Sequence, residues 1–289
     1  MIAREVALEF PQVPALRLCS LLGVPRASYY RPVPVRQEPD WVCQVVAAIE
    51  EMILTFTGYG YRRVAIQLQR DGCAIGQKTV RRLMKEHSLL CQIRRRWVRT
   101  TDSSHGHECY PNLAKGFVTT GCNQLWVSDI TYIRLPSGFC YLAAILDAHS
   151  RKAVAWHMSR SIDAKLVLTC LEKALAKRNP PPGWIHHSDR GVQYACRGYV
   201  EAVAAAGGRL SMSSKACPYD NAKAESFFAT LKKEEVHLDD YRSFPEAELA
   251  TDRYIDQIYN SRRLHSSLGY ESPDQFEAKL ERQEEHATA

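Results

Sequence analysis

The sequence predicts an α/β protein, a mixed sheet flanked by helices and preceded by an all-α region with helix-turn-helix character. Three observations predict it. Up to about residue 91 the apolar residues recur with helical spacing. From residue 125 the pattern changes to short, β-rich apolar runs, three in succession. Beyond them helical and strand-like stretches alternate, which calls for a mixed sheet with helices on its faces.

At 289 residues the chain has room for about two domains, taking roughly 150 residues for each. Its 45% hydrophobic and 24% charged content suits a packed core in water. No apolar run approaches the ~18 residues of a membrane span. The N-terminal MIAREVALEFPQ is broken by charges and lacks a signal-peptide apolar stretch. Ten cysteines are scattered without a CxxC pair. That pattern implies reduced, mostly buried thiols and a cytoplasmic, nucleoid-associated protein, and argues against a disulfide scaffold. The net charge is +6, but residues 1–100 hold 16 Lys and Arg against 8 Asp and Glu, leaving the rest at −2. A basic front end on a near-neutral back half suits nucleic-acid binding ahead of an acidic centre, although basic faces also serve only for solvation.

The elements follow in order. In QVPALRLCSLLGVPRASYYR (12–31), Leu16, Cys19 and Leu22 share a helical face, Gly23 turns the chain and Pro25 opens a short second helix. PVPVRQEPD (32–40) reads as a stiff linker. Val42, Val45, Val46, Ile49 and Ile53 then mark a helix over 41–55. In the stretch 58–91, Val64, Ile66 and Leu68 suit a helix ended by Asp71-Gly72, and Val80, Leu83 and Met84 line the inner face of a second over 77–87. The outer face of that second helix carries Lys78, Arg81, Arg82 and Lys85, as expected of a helix lying in a DNA major groove. Arg94, Arg95 and Arg96 follow beside Trp97, a run suited to gripping phosphates whatever the base sequence. Residues 100–124 read as a linker, and His105, His107 and Cys109 within it lack the second ligand pair of a zinc site.

LWVSDITYI (125–133), FCYLAAILDAH (139–149) and KAVAWHMS (152–159) form an antiparallel meander, turned first at Pro136-Ser137-Gly138. Asp163 caps a helix to Arg178. WIHH (184–187) is a strand, 197–206 a helix stopped by Gly207-Gly208, and RLSMS (209–213) a strand. Asp220 or Asn221 caps a helix to about Glu235. This order of elements is that of the ribonuclease-H-like fold. An amphipathic tail follows from 243, with Asn260, Arg262, Arg263 and His265 at a polar, basic end, and packing on the core is its expected role. The expected divisions are 1–57 and 58–99 for the two helix-turn-helix segments, 100–120 for a linker, 121–240 for the sheet domain and 241–289 for the helical tail.

Three carboxylates stand out. Asp129 interrupts an apolar strand, where a charge is costly to bury unless paired or on a metal. Asp189 follows a strand and opens the loop RGVQY. Glu225 lies near the start of a helix, with 35 residues separating it from Asp189, and Lys232 returns seven residues later to the same helical face. Asp147 also ends an apolar run and competes with Asp129. Carboxylate oxygens are the donors Mg²⁺ prefers. Two such ions about 3.5–4 Å apart bracket a phosphate undergoing in-line displacement, so no side-chain nucleophile is required.

YGYRRV with KTVRRLMKE, then WVSDITYI, HHSDRGVQY, YDNAKAESFFATLKKE and YIDQIYNSRRLHSSLGYESPDQF, together resemble insertion-sequence transposases of the two-reading-frame type, specifically the downstream-frame product with a retroviral-integrase-like core. The likeness runs over about residues 15–280. It implies a DDE-type polynucleotidyl transferase in which Asp129, Asp189 and Glu225 are both catalytic and metal-binding. It further implies two Mg²⁺ ions, with Mn²⁺ as a substitute. Its partners would be DNA (element ends and target), other copies of the chain in a homo-multimer on DNA, and an upstream-frame product, with no membrane. Lys232 would contact the strand being cut. Two alternatives stand beside this reading: a non-catalytic helix-turn-helix regulator, in which the acids are structural, and a nuclease on a ribonuclease-H-like fold, which hydrolyses without joining.

Overall fold

The structure is a computed structural model, and it describes residues 6–7, 10–30, 39–91, 110–214 and 221–288. The chain divides into two compact units, 1–45 and 46–289. The first carries α1 (Ala15–Leu21) and α2 (Arg26–Tyr30), joined through Gly23 at φ +63°. Leu18 and Cys19 are the buried residues of α1, whereas Leu16 and Leu22 are exposed, so the inward face lies to one side of the expected one. Helix α3 (Asp40–Thr55) crosses the division and buries Val42, Val45, Val46, Ile49 and Met52.

The second unit opens on α4 (Tyr61–Arg70) and α5 (Gln77–Glu86), a helical hairpin. Val80, Leu83 and Met84 are the buried residues of α5, the inner face that the spacing predicts, while α4 buries Val64, Ala65 and Leu68, with Ala65 in place of the expected Ile66, which is half-buried. Helix α4 stops at Asp71, and Gly72 at φ +88° supplies the left-handed residue that ends it. The segments 31–38 and 92–109, with Arg94, Arg95, Arg96 and the His105, His107 and Cys109 trio, lie outside the described residues.

The sheet comprises β1 (Leu125–Leu135), β2 (Gly138–Asp147), β3 (Ala153–Ser159), β4 (Ile185–Ser188) and β5 (Arg209–Met212) in the order β3-β2-β1-β4-β5. The first three strands are antiparallel, while β1, β4 and β5 run parallel. Helix α6 (Ala164–Arg178) follows β3, starting where the Asp163 carboxylate accepts from Leu166 N–H at 3.0 Å. Helix α7 (Arg197–Ala205) joins β4 to β5, and both helices pack on one sheet face against Trp126, Ile145 and Trp184. The other face is covered by α8 (Ala222–Leu231) and the C-terminal segment, with Phe227, Phe228, Leu231, Tyr254 and Ile255 against Val127, Ile133, Leu142 and Leu146.

After α8 the chain widens into a π-helical turn, Lys232–Val236. Helix α9 (Phe244–Arg253) ends in a second π-helical stretch, Tyr254–Asn260, and α10 (Pro273–Thr288) closes the described chain. The tail packs on the core as expected, and its polar end does so too. The Asn260 amide exchanges two hydrogen bonds with the backbone of Ala153, at 2.9 and 3.0 Å, extending the pairing of edge strand β3. All eight described cysteines are free thiols, but only Cys19, Cys140 and Cys170 are buried, fewer than the composition suggests. Among the described residues no helix is long and apolar enough to cross a membrane.

Candidate active site

The parallel register of β1 and β4 brings two of the three acids side by side. Leu125 pairs with Ile185, Trp126 with His186 and Val127 with His187. Asp129 lies two residues beyond the last of these pairs on β1 and Asp189 directly after β4, and the two are near enough for the charge of Asp189 to act on Asp129. Asp129 interrupts a strand, as expected. It lies inside β1, at the point where pairing with β4 has stopped and pairing with Ala144 of β2 continues.

Asp129 is half-buried, and its carboxylate accepts from Ile130 N–H at 2.8 Å. Its pKa is pushed up to about 7, by burial first and then by the negative charge of Asp189, with Glu225 adding to it and Lys232 opposing it. Glu225, on the first turn of α8, is exposed and raised above the ordinary carboxylate range by partial desolvation. Lys232 sits 4.3 Å from the centre of the Tyr132 ring. Burial lowers its pKa and Asp129 pulls it back up. The structure thus groups Asp129 electrostatically with Asp189, Glu225 and Lys232. Among the described residues, which include all three acids, no group of three or more His, Cys, Asp or Glu side chains is arranged to hold a metal ion. Carboxylate oxygens are nevertheless the donor type a hard divalent cation takes.

Asp147 has a different job. It is buried and its carboxylate accepts from the backbone N–H groups of Asn123, His149 and Ser150 at 2.6, 2.8 and 3.0 Å, tying the turn after β2. That is a structural role.

Several positioning residues escaped the sequence reading. Asn221 was expected as a cap for α8, yet its side chain caps nothing. Its Nδ2 instead donates to Ser128 O at 3.0 Å, pinning the start of α8 beside Asp129. Ser128 Oγ also pairs with the Tyr194 hydroxyl at 2.9 Å, so the RGVQY loop is fastened to β1 next to the carboxylate. Gly191 donates its N–H to Asp189 Oδ1 at 2.9 Å, and a Cβ there would stand 2.9 Å from that oxygen. Only glycine lets the backbone come so close. Behind Asp189, His187 bridges Ser211 and Ser213 at 2.8 and 3.1 Å, and Tyr199 pairs with His186 at 2.9 Å. Burial and the neighbouring His187 hold the His186 pKa down to about 3, so that imidazole is neutral.

Residues 120–218 and 206–273 match the integrase core domain family, and 43–97 an HTH-like domain family. A Shigella sonnei protein, the insertion element IS600 uncharacterized 31 kDa protein, is 36% identical over 267 residues, covering 91% of this chain and 98% of its own length. The transposase for insertion sequence element IS629, also of Shigella sonnei, is 35% identical over 270 residues, covering 90% of each chain. The chain belongs to the integrase-core family of insertion-sequence transposases. Among solved structures, a chain of the simian T-cell lymphotropic virus intasome aligns with a TM-score of 0.46 at 12% identity, covering 80% of this chain and 74% of that one. As a member of this transposase family the chain serves DNA transposition. Its HTH-like hairpin sets the expected basic face outward, with Lys78, Arg81, Arg82 and Lys85 all exposed. Arg82 is also bridged to Glu86 at 3.0 Å along the helix, and Arg81 lies over the Tyr61 ring.

Proposed function

We propose that this transposase cuts a DNA strand at the element end and joins the freed 3′-hydroxyl to target DNA, with Asp129, Asp189 and Glu225 as its catalytic, metal-holding residues. The observation that carries the proposal is the Asp129 carboxyl, pushed up to about 7 beside two further acids. Groups perturbed in this way cluster at functional sites. Bound there, two Mg²⁺ ions (or Mn²⁺ in their place) supply charge neutralisation to a phosphodiester undergoing in-line displacement.

The protein's own contribution is position. Ser128, Tyr194, Asn221 and Gly191 hold the acids at one strand edge. Lys232 presents its ammonium to a phosphate of the scissile strand. Lys78, Arg81, Arg82 and Lys85 of the hairpin, with Arg94, Arg95 and Arg96 after it, bind the DNA backbone and bring the element end to the acids. Pairing two ends calls for more than one copy of the chain, with an upstream-frame product as a further partner. A strand-transfer assay with a pre-cut 3′ end and Mg²⁺ tests the reading. Wild-type protein joins it to a target duplex, and Asp129→Asn does not. Hydrolysis without joining would make the protein a nuclease, and joining that survives Asp129→Asn would reject the site.

A further inference from the structure

A basic pocket lies between the helical hairpin, the core and the C-terminal segment. It has a volume of about 260 Å³, below the roughly 300–1,000 Å³ of small-molecule sites and ample for a phosphate with its waters. Its walls come from distant parts of the chain: Arg63 from α4, Arg151 from the turn after β2, Lys223 from α8 and His265 from the C-terminal segment. Hydroxyls of Ser226, Ser266 and Ser267 stand exposed at its rim. Among the described residues no carboxylate lines it. Arg263 also borders it, but that guanidinium is held bidentate by Glu234 at 2.8 Å in both contacts.

The other cations are not neutralised in this way. Among the described residues neither Arg63 nor Arg151 forms an ion pair. Lys223 donates to the Ala148 carbonyl at 3.0 Å, which spends one of its three donors and none of its charge. His265 is 8% exposed, and its Nε2 has no hydrogen-bond partner among the described residues. Burial and the charges of Arg263, Arg63 and Arg151 hold this imidazole neutral, its pKa about 3, and its single N–H goes to the Tyr259 backbone, so Nε2 is left an acceptor and the pocket's anion donors are Arg63, Arg151 and Lys223. Along α8, Lys223, Ser226 and Thr230 share a flank at helical spacing, while Glu225 faces the other side of the core stripe formed by Ala224, Phe227, Phe228 and Leu231.

We propose that this pocket binds a phosphate group, and that in the working protein the group is a backbone phosphodiester of bound DNA. The exposed rim admits a strand, and Arg63 belongs to the hairpin of the HTH-like domain, so DNA spanning hairpin and core passes this point. The choice of DNA rests on the function proposed above. The phosphate chemistry does not.

The test is binding of a non-specific duplex by the full chain across a salt series, with Arg63→Gln and Arg151→Asn. Asparagine suits position 151, where φ is +62°. Each variant is expected to bind severalfold more weakly at low salt and to reduce the slope of log K against log salt by about 1, the loss of one phosphate contact. Unchanged slopes in both variants would overturn the proposal. In a parallel arm, inorganic phosphate is titrated against chloride at equal ionic strength while thermal unfolding is followed. If phosphate stabilises the wild type and neither variant, yet the DNA slopes do not move, the site serves a free phosphate and the DNA assignment falls. Asp129→Asn run alongside separates the two readings. Should it keep strand transfer while the pocket variants lose slope, the catalytic reading fails and the pocket stands.

Discussion

The acidic centre at Asp129 and the ion pair at Glu234 are joined by one π-helical turn and solve the problem of a buried carboxylate in opposite ways. Glu234 is buried and fully answered. Arg263 meets both its oxygens at 2.8 Å, the Tyr254 hydroxyl donates at 2.7 Å, and its backbone carbonyl accepts from Thr57. Burial alone would raise its pKa, but Arg263 overrides that and holds it below the ordinary range. Asp129 has two like charges near it and one lysine, and its pKa rises to about 7. The difference teaches how to read a buried acid. One answered by an arginine and a tyrosine holds structure, and one raised by like charges is a candidate functional group. Lys232 turns toward the first acid and Glu234 toward Arg263, so the widened turn faces two jobs at once, as such turns often do at functional sites. Gly58 belongs to the same arrangement. A Cβ on it would collide with the Glu234 side chain, which explains the glycine just before YGYRRV. Beside it the Tyr59 hydroxyl accepts from Leu264 N–H at 2.8 Å, so this motif docks the hairpin on the core.

The comparison is sharpest under mutation. Asp129→Asn is expected to reduce strand transfer well beyond the ~10–100-fold that follows loss of a group orienting a metal ligand. Its melting temperature should hold or rise, because a crowded charge is removed; a drop of many degrees would make Asp129 structural. Glu234→Gln should do the reverse. It leaves Arg263 buried without a counter-charge, a loss of about 3–5 kcal/mol in chemical denaturation. A cost within measurement error would erase the contrast between the two acids. Tyr194→Phe tests the fastening of the RGVQY loop. Strand transfer should fall about 10–100-fold while stability drops by about 1 kcal/mol, the value of one hydrogen bond. Equal activity would remove Tyr194 from the positioning set.

The two acids should also part on a pH axis. Asp129 has a folded pKa raised above its unfolded 3.8, so stability is greatest below that value and is lost as pH climbs through about 7 in metal-free protein. Glu234, depressed, stabilises above its unfolded 4.5 and loses that stability as pH falls. Unfolding measured from pH 4 to 8 should show the first loss in wild type and not in Asp129→Asn. A variant curve parallel to wild type would refute the assignment. The smallest effect expected is that of Asp163→Ala, about 1 kcal/mol from a lost helix cap, with no change in DNA joining.

Much of this was legible along the chain. Asp163 as a cap, Asp71-Gly72 as a stop, the inner face of Val80, Leu83 and Met84, and the meander all follow from signals within a few residues of each other. The three acids could be singled out because each is anomalous in its own short context. Asn221, one of the two cap candidates, does take the N-cap position of α8, but a distant carbonyl, Ser128 O, claims its side chain, which no local rule foresees.

By itself, then, the order of residues determined the elements, the sheet class and which carboxylates are out of place, because helix and strand periodicity and capping are short-range physics. Only the tertiary structure decided who meets whom. The parallel pairing of β1 with β4 brings Asp189 within electrostatic reach of Asp129, Glu234 finds Arg263 across 29 positions, and Tyr59 reaches Leu264 across 205. Such pairings depend on how whole faces pack, a sum over many side chains that no short window contains.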